Sequence, residues 1–331
     1  MPTEIVKVEG NLKKIKEAFD RAPVPFPTET VYGLGASVWR EDLIKRVFEI
    51  KGRPSDNPLI VHISSLNMLK ECIEGEIPEI YTELMHLYWP GPLTLLFKKS
   101  KKISRTVTGN GEYVAIRMPN HKDALLVIDH LEYPIVGPSA NKSTRPSPTR
   151  AEHVLEDLNN EVPLIIDGGV CAQGVESTVI NGLHSPPLLL RPGVISFEEI
   201  KEHLPTIKML SEEDKDQGKA SPGTRYKHYS PTAVVTMVQG TKSDVLQKLN
   251  GIAGENVGFM LPDEFIEGLA GAEKKNIYSL GNTAKTAAQR LFDGLRYLDR
   301  HVQEIYTVEL EASHEGRAVM DRLSRATSRW M

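Results

Sequence analysis

The sequence predicts an α/β protein with two domains, a twisted mixed sheet with helices on its faces followed by a smaller three-layer α/β domain. The 331 residues, 40% hydrophobic and 25% charged, suffice for two cores and exclude disorder as the main state. Short apolar strands with Pro- and Gly-rich connections fill roughly the first two hundred residues, whereas strands and helices alternate in the last hundred or so. The two patterns therefore predict two different sheets.

The composition narrows the class of protein. The net charge of −4 argues against a protein that binds nucleic acid over its whole surface. A run of basic residues beginning at Lys98 is compatible with a local nucleic-acid-binding patch. No apolar stretch approaches the roughly 18 residues of a membrane-spanning helix, and the N-terminus lacks the apolar segment of a secretory signal. Cys72 and Cys171 stand far apart without metal-like spacing, which predicts neither a disulfide framework nor a zinc site. We expect a cytoplasmic protein that does not cross a membrane.

Apolar segments bounded by turn residues predict the strands of the first domain. In chain order they are LIVHI (59–63), LTLLF (93–97), YVAIRM (113–118), LIIDG (164–168), STVI (177–180) and LLLR (188–191). An amphipathic helix is predicted just before the first of them, from apolar residues between Leu43 and Phe48. Gly52 and Pro54 are suited to end that helix.

A polar stretch divides the chain. Residues 211–220 contain nothing that could anchor a core, and prolines on both sides interrupt regular structure. We therefore place the first domain at 1–205, a linker at 206–232 and the second domain at 233–331.

The second half of this linker, SPGTRYKHYSP (221–231), is unlike a passive tether. It concentrates cationic and aromatic side chains, among them Tyr226, His228 and Tyr229. The composition indicates a linker that reaches a site.

The second domain follows a β/α alternation that predicts a small Rossmann-like, three-layer fold with a parallel sheet. Its longest helix is predicted from about Asn282 to Arg300, with Asn282 or Thr283 as the cap. Neither a GxGxxG segment nor a P-loop occurs in it, so the sequence predicts no nucleotide site there.

The segment KGRPSDNP (51–58) places two cations at a rigid helix exit. Lys51 supplies a point charge and Arg53 a planar fork, and together they could clamp a polyphosphate. The alternative is that these cations only complement the helix dipole.

Two arginines stand at the ends of predicted strands. Arg117 ends one strand and Arg191 ends LLLR just before a Pro-Gly pair. Ligands of α/β sheets tend to bind where strands end, so converging cations indicate an anionic ligand such as a carboxylate or phosphate. Two surface ion pairs are the alternative.

Three loops combine hydroxyl or amide side chains with turn formers. They are PTETVYGLG (27–35), GPSANKSTRPSP (137–148) and GVESTV (174–179). Such loops can hold a sugar or phosphate, although hydroxyls near turns more often cap the backbone.

His62, taken singly, is more typical of a structural histidine. No HExxH, Cys–His pair or GxSxG elbow is present, so cations and neutral hydrogen-bond formers predict phosphoryl or nucleotidyl transfer.

Taken together, these segments resemble the threonylcarbamoyl-AMP synthase family in its long form. That form has a YrdC-like catalytic domain, a linker and a smaller C-terminal domain. The matching segments appear in the family's order across residues 23 to 231: PTETVYGLG, KGRPSDNPLIVHI, WPGPLTLLF, VAIRMP, GPSAN, GVESTV, LRPG and SPGTRYKHYSP.

The resemblance implies a reaction in which L-threonine and bicarbonate or CO2 give a carbamate. The carbamate then attacks the α-phosphorus of ATP, and threonylcarbamoyl-AMP and pyrophosphate are formed. The product would serve the threonylcarbamoyladenosine modification beside the anticodon of tRNA, through a separate transferase. Mg2+ is expected to arrive with ATP, held by phosphates and water, since no carboxylate pair predicts a protein ligand.

The resemblance also implies roles for individual residues. The family's catalytic signature falls on Lys51, Arg53, Ser139 and Asn141. ATP binding is implied for Arg53, Asn57, Ser139, Ser147, Arg191, His228 and Tyr229. The threonine pocket is implied for Thr28, Thr30, His62, Arg117, Gly137 and Ser177. Arg117 is then the partner of the amino acid's carboxylate, and the linker residues Tyr226, His228 and Tyr229 are expected to fold over the nucleotide.

Two alternatives stay open at this point. A non-catalytic protein that binds double-stranded RNA or tRNA would show salt-dependent affinity without nucleotide turnover. Carbamoyl-adenylate chemistry on another acceptor is known in relatives that have additional acylphosphatase and zinc-binding regions. Contact with tRNA is compatible with the main hypothesis but is not required by it.

Overall fold

The computed structural model describes residues 2–211, 214–218, 221, 228–252, 254 and 256–331, which form two compact units. The first unit contains the described residues of 1–143, 148–172 and 176–226. The second contains those of 144–147, 173–175 and 227–331. The second unit thus includes two short segments from the N-terminal part of the chain. The domain boundaries at 205 and 232 stay predictions.

The first unit is built on short strands. They are β1 (Glu4–Val6), β2 (Val24–Phe26), β3 (Gly33–Ser37), β4 (Ile60–His62), β5 (Leu93–Lys98), β6 (Tyr113–Arg117), β7 (Ile135–Val136), β8 (Leu164–Ile166), β9 (Thr178–Asn181), β10 (Leu188–Arg191) and β11 (Lys208–Met209). The large sheet has the order β11-β10-β9-β5-β6-β4-β7-β3-β2, with parallel and antiparallel pairs. The mixed sheet is confirmed. The LIIDG segment, in contrast, forms β8, which pairs with β1 in a separate two-stranded sheet.

Helices surround this sheet. They are α1 (Leu12–Phe19), α2 (Glu41–Lys51), α3 (Leu66–Cys72), α4 (Thr82–Tyr88), α5 (Lys122–Leu131), α6 (Ala151–Leu158), α7 (Phe197–His203) and α8 (Lys215–Gly218). The core between helices and sheet includes Val61, Ile116 and Val136, which are fully buried. Burial stabilises the fold by about 1.5–3 kcal/mol for each such side chain.

The register of the large sheet brings several strand ends to one edge. β4 and β6 are parallel, and β6 is antiparallel to β5. β5 is parallel to β9, which is antiparallel to β10. β4, β6 and β10 therefore run in the same direction. Their last residues, His62, Arg117 and Arg191, consequently lie at the same edge of the sheet.

The second unit contains a parallel sheet, as predicted. Its elements are β12 (Val234–Val238), α9 (Lys242–Asn250), β13 (Val257–Leu261), α10 (Asp263–Ile266), β14 (Ile277–Ser279), α11 (Ala284–Asp299), β15 (Glu304–Val308), α12 (Glu315–Ala326) and β16 (Arg329–Trp330). The strand order is β14-β13-β15-β12-β16, and every pair is parallel. Thr283 caps α11 through a hydrogen bond to the Thr286 amide. None of the helices in the described part of the chain is long and apolar enough to cross a membrane.

Two arginines are buried in the second unit. Arg296 of α11 is 2% exposed, and its Nε and Nη2 donate to the carbonyl oxygen of Pro146 at 3.1 and 2.6 Å. The guanidinium of Arg322 in α12 lies 5.9 Å from the ring centroid of Tyr229. Arg296 therefore holds the inserted segment 144–147, and Arg322 contacts the end of the predicted linker.

Candidate active site

A buried lysine occupies the C-terminus of α2. Lys51 is 2% exposed, and Gly52 ends the helix with a left-handed φ of 60°. The Lys51 ammonium donates to the carbonyl oxygens of Ser139 at 2.5 Å and Asn141 at 2.7 Å. In return, the amide of Ser143 donates to the Lys51 carbonyl at 2.7 Å. The structure thus brings Lys51, Ser139 and Asn141 together, and the lysine contacts a loop rather than solvent at the helix end.

The loop after α2 contains a buried amide side chain. Asn57 is fully buried, and neither its Nδ2 nor its Oδ1 has a hydrogen-bond partner among the described residues. Arg53 stays within this loop, where Nε donates to the Asn57 carbonyl at 3.3 Å and Nη2 to the Pro58 carbonyl at 2.9 Å. A buried polar group without a partner costs about 1–3 kcal/mol, so Asn57 is suited to bind a polar ligand atom.

The second buried cation is Arg117, at the end of β6. Its side chain is 4% exposed, and its Nη1 donates to the Thr30 hydroxyl at 2.8 Å and its Nε to the Gly91 carbonyl at 3.1 Å. The hydroxyls of Thr28 and Thr30 are 2.9 Å apart. Nη2 lies 2.6 Å from an oxygen of Glu29, to which no role was predicted from the sequence. The ion pair of Arg117 is therefore buried, and the alternative of a surface ion pair is wrong for this residue.

His62 and Gly137 lie beside this arginine. His62 pairs with Arg117 in the register of β4 and β6. Burial, together with the positive charge of Arg117, lowers the pKa of His62 to about 3, so the imidazole is neutral near pH 7. Its Nδ1 has no hydrogen-bond partner among the described residues. A Cβ on Gly137 would lie 2.8 Å from that Nδ1, so only glycine permits this approach.

Arg191 and Ser177 form a third buried cluster. Arg191 donates from Nη2 to the Ser177 carbonyl at 2.8 Å and to the Ser177 hydroxyl at 3.1 Å. That hydroxyl also lies 2.8 Å from the hydroxyl of Thr94. Arg191 was predicted to bind ATP and Ser177 to bind threonine, and the structure places them in direct contact.

Backbone hydrogen bonds connect the loop around Ser139, which holds Lys51, to the segment that follows Thr28 and Thr30. The Ala140 amide donates to the Tyr32 carbonyl at 2.8 Å, and the Leu34 amide donates to the Pro138 carbonyl at 2.7 Å. The loop with Ser139 thus lies against the segment that follows Thr30.

A second set of backbone contacts joins the two arginine clusters. The Gly91 amide donates to the Met118 carbonyl at 2.7 Å, and the Thr178 amide to the Pro92 carbonyl at 3.0 Å. The two sets together connect all three clusters at one end of the first unit.

Three residues predicted to bind ATP, Ser147, His228 and Tyr229, belong to the second unit. Ser147 is buried in the inserted segment 144–147. Tyr229 adopts a φ of 67°, and its ring lies 5.5 Å from that of His228 and 5.1 Å from that of Phe292. Tyr226 lies outside the described residues, as do residues 222–225 and 227. The predicted lid therefore stays a prediction.

No group of three or more His, Cys, Asp or Glu side chains suited to a metal ion occurs within the described ranges. The Glu29 carboxylate, which contacts the second of the clusters described above, is paired with Arg117.

Comparison with known proteins identifies the family. The Sua5, YciO and YrdC family model, described as "Telomere recombination", matches residues 20–193. The model described as "Threonylcarbamoyl-AMP synthase, C-terminal domain" matches residues 195–328. Threonylcarbamoyl-AMP synthase of Pyrococcus abyssi is 43% identical over 92% of this chain and 90% of the relative. The protein of the same name from Bacillus subtilis is 42% identical over 92% and 88%.

A solved structure resembles the chain over both units. The crystal structure of P. abyssi Sua5 complexed with L-threonine has a TM-score of 0.88 and 38% sequence identity. The similarity covers 99% of each chain. Sequence and fold agree, and the chain belongs to the threonylcarbamoyl-AMP synthase family.

Proposed function

We propose that the protein synthesises L-threonylcarbamoyladenylate from L-threonine, bicarbonate or CO2, and ATP, with release of pyrophosphate. One observation carries the proposal: buried Lys51, Arg117 and Arg191 lie among hydroxyls, amides and backbone at one end of the first unit. Substrates with a carboxylate and a triphosphate complement such a site. Membership of the family and the L-threonine bound to the P. abyssi protein support it.

On the amino-acid side, the fork of Arg117 is proposed to bind the carboxylate of L-threonine. Thr28, Thr30 and neutral His62 are proposed to hydrogen-bond the substrate, because a neutral imidazole can donate from one nitrogen and accept at the other. Gly137 leaves space beside the His62 ring. Ser177, whose hydroxyl accepts from Arg191, is proposed to line the threonine pocket as well.

On the nucleotide side, buried cations are proposed to stabilise the triphosphate. Lys51, Arg53, Ser139 and Asn141 keep the catalytic role that the family resemblance implies. Asn57, Ser147, Arg191, His228 and Tyr229 are proposed to bind ATP with them. Mg2+ bound to the phosphates would offset their negative charge.

The chemistry needs no nucleophile from the protein, because the carbamate oxygen itself attacks the α-phosphorus. One oxygen–phosphorus bond forms and the bond to pyrophosphate breaks, which makes the enzyme a nucleotidyltransferase. The chain contributes orientation and fixed positive charge, the main terms in phosphoryl and nucleotidyl transfer. The adenylate would then serve tRNA threonylcarbamoyladenosine synthesis by a separate transferase, and we propose a cytoplasmic location on that ground.

The test is pyrophosphate release by the purified protein. We expect release from ATP only when L-threonine and bicarbonate are both present, with serine and valine as amino-acid controls. Release with neither co-substrate, or none with both, would exclude the proposed activity.

The RNA-binding alternative has less support. Lys98 and Arg105 of the basic run lie 3.1 and 3.6 Å from the carboxylates of Glu74 and Glu112. These exposed ion pairs reduce the charge available for phosphate contacts. Salt-dependent RNA binding without pyrophosphate release would favour that alternative.

A further inference from the structure

Glu29 stands between the two threonines of the proposed threonine pocket. Its side chain is 9% exposed, and one carboxylate oxygen lies 2.6 Å from Nη2 of Arg117. The contact lacks the alignment of a hydrogen bond, and neither oxygen of Glu29 has a hydrogen-bond donor among the described residues. Buried carboxylates normally accept several hydrogen bonds. The two carboxylate oxygens of Glu29 can therefore accept hydrogen bonds from a cationic group of a ligand.

Arg117 does not depend on Glu29 for its position. Its Nε is bound to the Gly91 carbonyl and its Nη1 to the Thr30 hydroxyl, so two neutral acceptors orient the guanidinium. A purely structural partner would be expected to form an aligned, bidentate pair with this fork. The observed geometry instead leaves a buried cation beside a buried anion.

A free α-amino acid matches this arrangement. Its carboxylate and its ammonium group are both attached to Cα, so the two charges lie roughly 3 Å apart. We propose that Glu29 binds the α-ammonium group of L-threonine while Arg117 binds the carboxylate, and that Glu29 accepts the proton that the nitrogen loses when the carbamate forms. This inference rests on the proposed function.

The proposed step balances. The ammonium group transfers one proton to the Glu29 carboxylate, and the freed amine attacks the carbon of bicarbonate. A nitrogen–carbon bond forms and a carbon–oxygen bond breaks, and the departing hydroxide takes the second nitrogen proton and leaves as water. Threonine, bicarbonate and the carboxylate thus yield the carbamate anion, one water and a neutral Glu29. No oxidant or further reactant is required.

The test compares two ligands by titration calorimetry without ATP. L-threonine carries the ammonium group, whereas (R)-3-hydroxybutanoate keeps the carboxylate and hydroxyl but lacks the amine. We expect Glu29→Gln to weaken L-threonine binding about 30-fold or more, the usual result of truncating a buried charge pair. The affinity for (R)-3-hydroxybutanoate should not fall, since that ligand has no group for Glu29 and the loss of a negative charge beside Arg117 favours its carboxylate.

Three further variants complete the design. Arg117→Lys should weaken both ligands alike, because both carry the carboxylate. Glu29→Asp keeps the charge and should weaken L-threonine selectively by a smaller factor; it decides the question if Glu29→Gln does not fold. Glu112→Gln, at an exposed glutamate, is the control expected to change neither affinity.

The outcomes separate the two hypotheses. Equal losses for both ligands in Glu29→Gln, or no loss for L-threonine, would overturn the role of Glu29 and leave the proposed function standing. Failure of the unaltered protein to bind L-threonine at all would overturn both.

Discussion

Buried arginines occur in both units of the molecule, but their partners differ. In the first unit, Arg117 contacts a hydroxyl, a carboxylate and one carbonyl, and Arg191 contacts the hydroxyl and carbonyl of Ser177. In the second unit, two nitrogens of Arg296 converge on the single carbonyl oxygen of Pro146. Burial of a cation is therefore not enough to identify a substrate site.

Around Arg117 in the first unit, two buried groups leave hydrogen-bonding capacity unused. Glu29 and Nδ1 of His62 are buried without hydrogen-bond partners among the described residues, and both lie beside Arg117. Since buried polar groups are usually satisfied, such exceptions mark places where a ligand completes the structure. In the second unit, by contrast, Arg296 holds a chain segment through the Pro146 carbonyl. The comparison of the two arginines predicts effects on substrate binding for Arg117 and effects on stability for Arg296.

The largest effect is expected at Arg117. Arg117→Ala removes the carboxylate partner and leaves Glu29 without its cation, so the KM for L-threonine should rise about 100-fold or more. The KM for ATP should change by less than about three-fold. Steady-state rates of pyrophosphate release over a matrix of both substrates would measure the two constants.

The exposed Arg105 provides the matched control, and Arg105→Ala should leave both constants unchanged. If Arg117→Ala raised the two KM values equally, the arginine would act on the whole site, as Arg296 does on its segment, and the comparison would fail.

Lys51 should give the next largest effect. Lys51→Gln keeps a donor for the carbonyls of Ser139 and Asn141 but removes the charge, and we expect kcat to fall about 100-fold through lost electrostatic stabilisation. Lys51→Met also removes the donor and should lower the unfolding free energy by about 1–3 kcal/mol. Lys45→Met, at an exposed position of the same helix, is the control. If Lys51→Gln left kcat unchanged, the role of this lysine would be structural and not catalytic.

Much of this site could be predicted from the sequence, because its cations stand at helix and strand ends that the sequence marks. Gly52 ends α2 directly after Lys51, and Arg117 and Arg191 end apolar strands. Strand direction then brings these two arginines to the same edge. The helix and strand periodicities similarly predicted the parallel sheet of the second unit.

Glu29 could not be found in this way. An acidic residue within a turn rich in hydroxyls carries no periodic signal, and its burial depends on Arg117, which is distant along the chain. The pairing of Tyr32 with Ala140 is equally non-local. The segment 144–147 belongs to the second unit because of Arg296, a contact that no local pattern indicates.

Arg296 should affect stability rather than substrate binding. Arg296→Met leaves the buried Pro146 carbonyl without its donors, so the unfolding free energy should fall by about 1–3 kcal/mol. The affinity for L-threonine, measured by calorimetry below the unfolding transition, should change by less than about two-fold. Arg300→Met, at the exposed end of α11, is the control in urea unfolding. A selective loss of threonine affinity in Arg296→Met would remove the distinction between the two units.

The smallest effect is expected from the titration of His62. Its pKa in the folded protein is about 3, against about 6.5 in an unfolded chain, so the unfolded state binds the additional proton between these values. The stabilising contribution of neutral His62 is thus complete above pH 6.5 and declines as the pH falls toward 3.

His62→Gln removes this contribution but keeps a neutral hydrogen-bonding side chain. Between pH 7.5 and 5.5, the unfolding free energy should fall by about 1 kcal/mol more in the unaltered protein than in His62→Gln. Urea unfolding at both pH values measures the difference. Equal losses would mean that His62 titrates normally, and the neutral imidazole that we assign to the threonine pocket would be wrong.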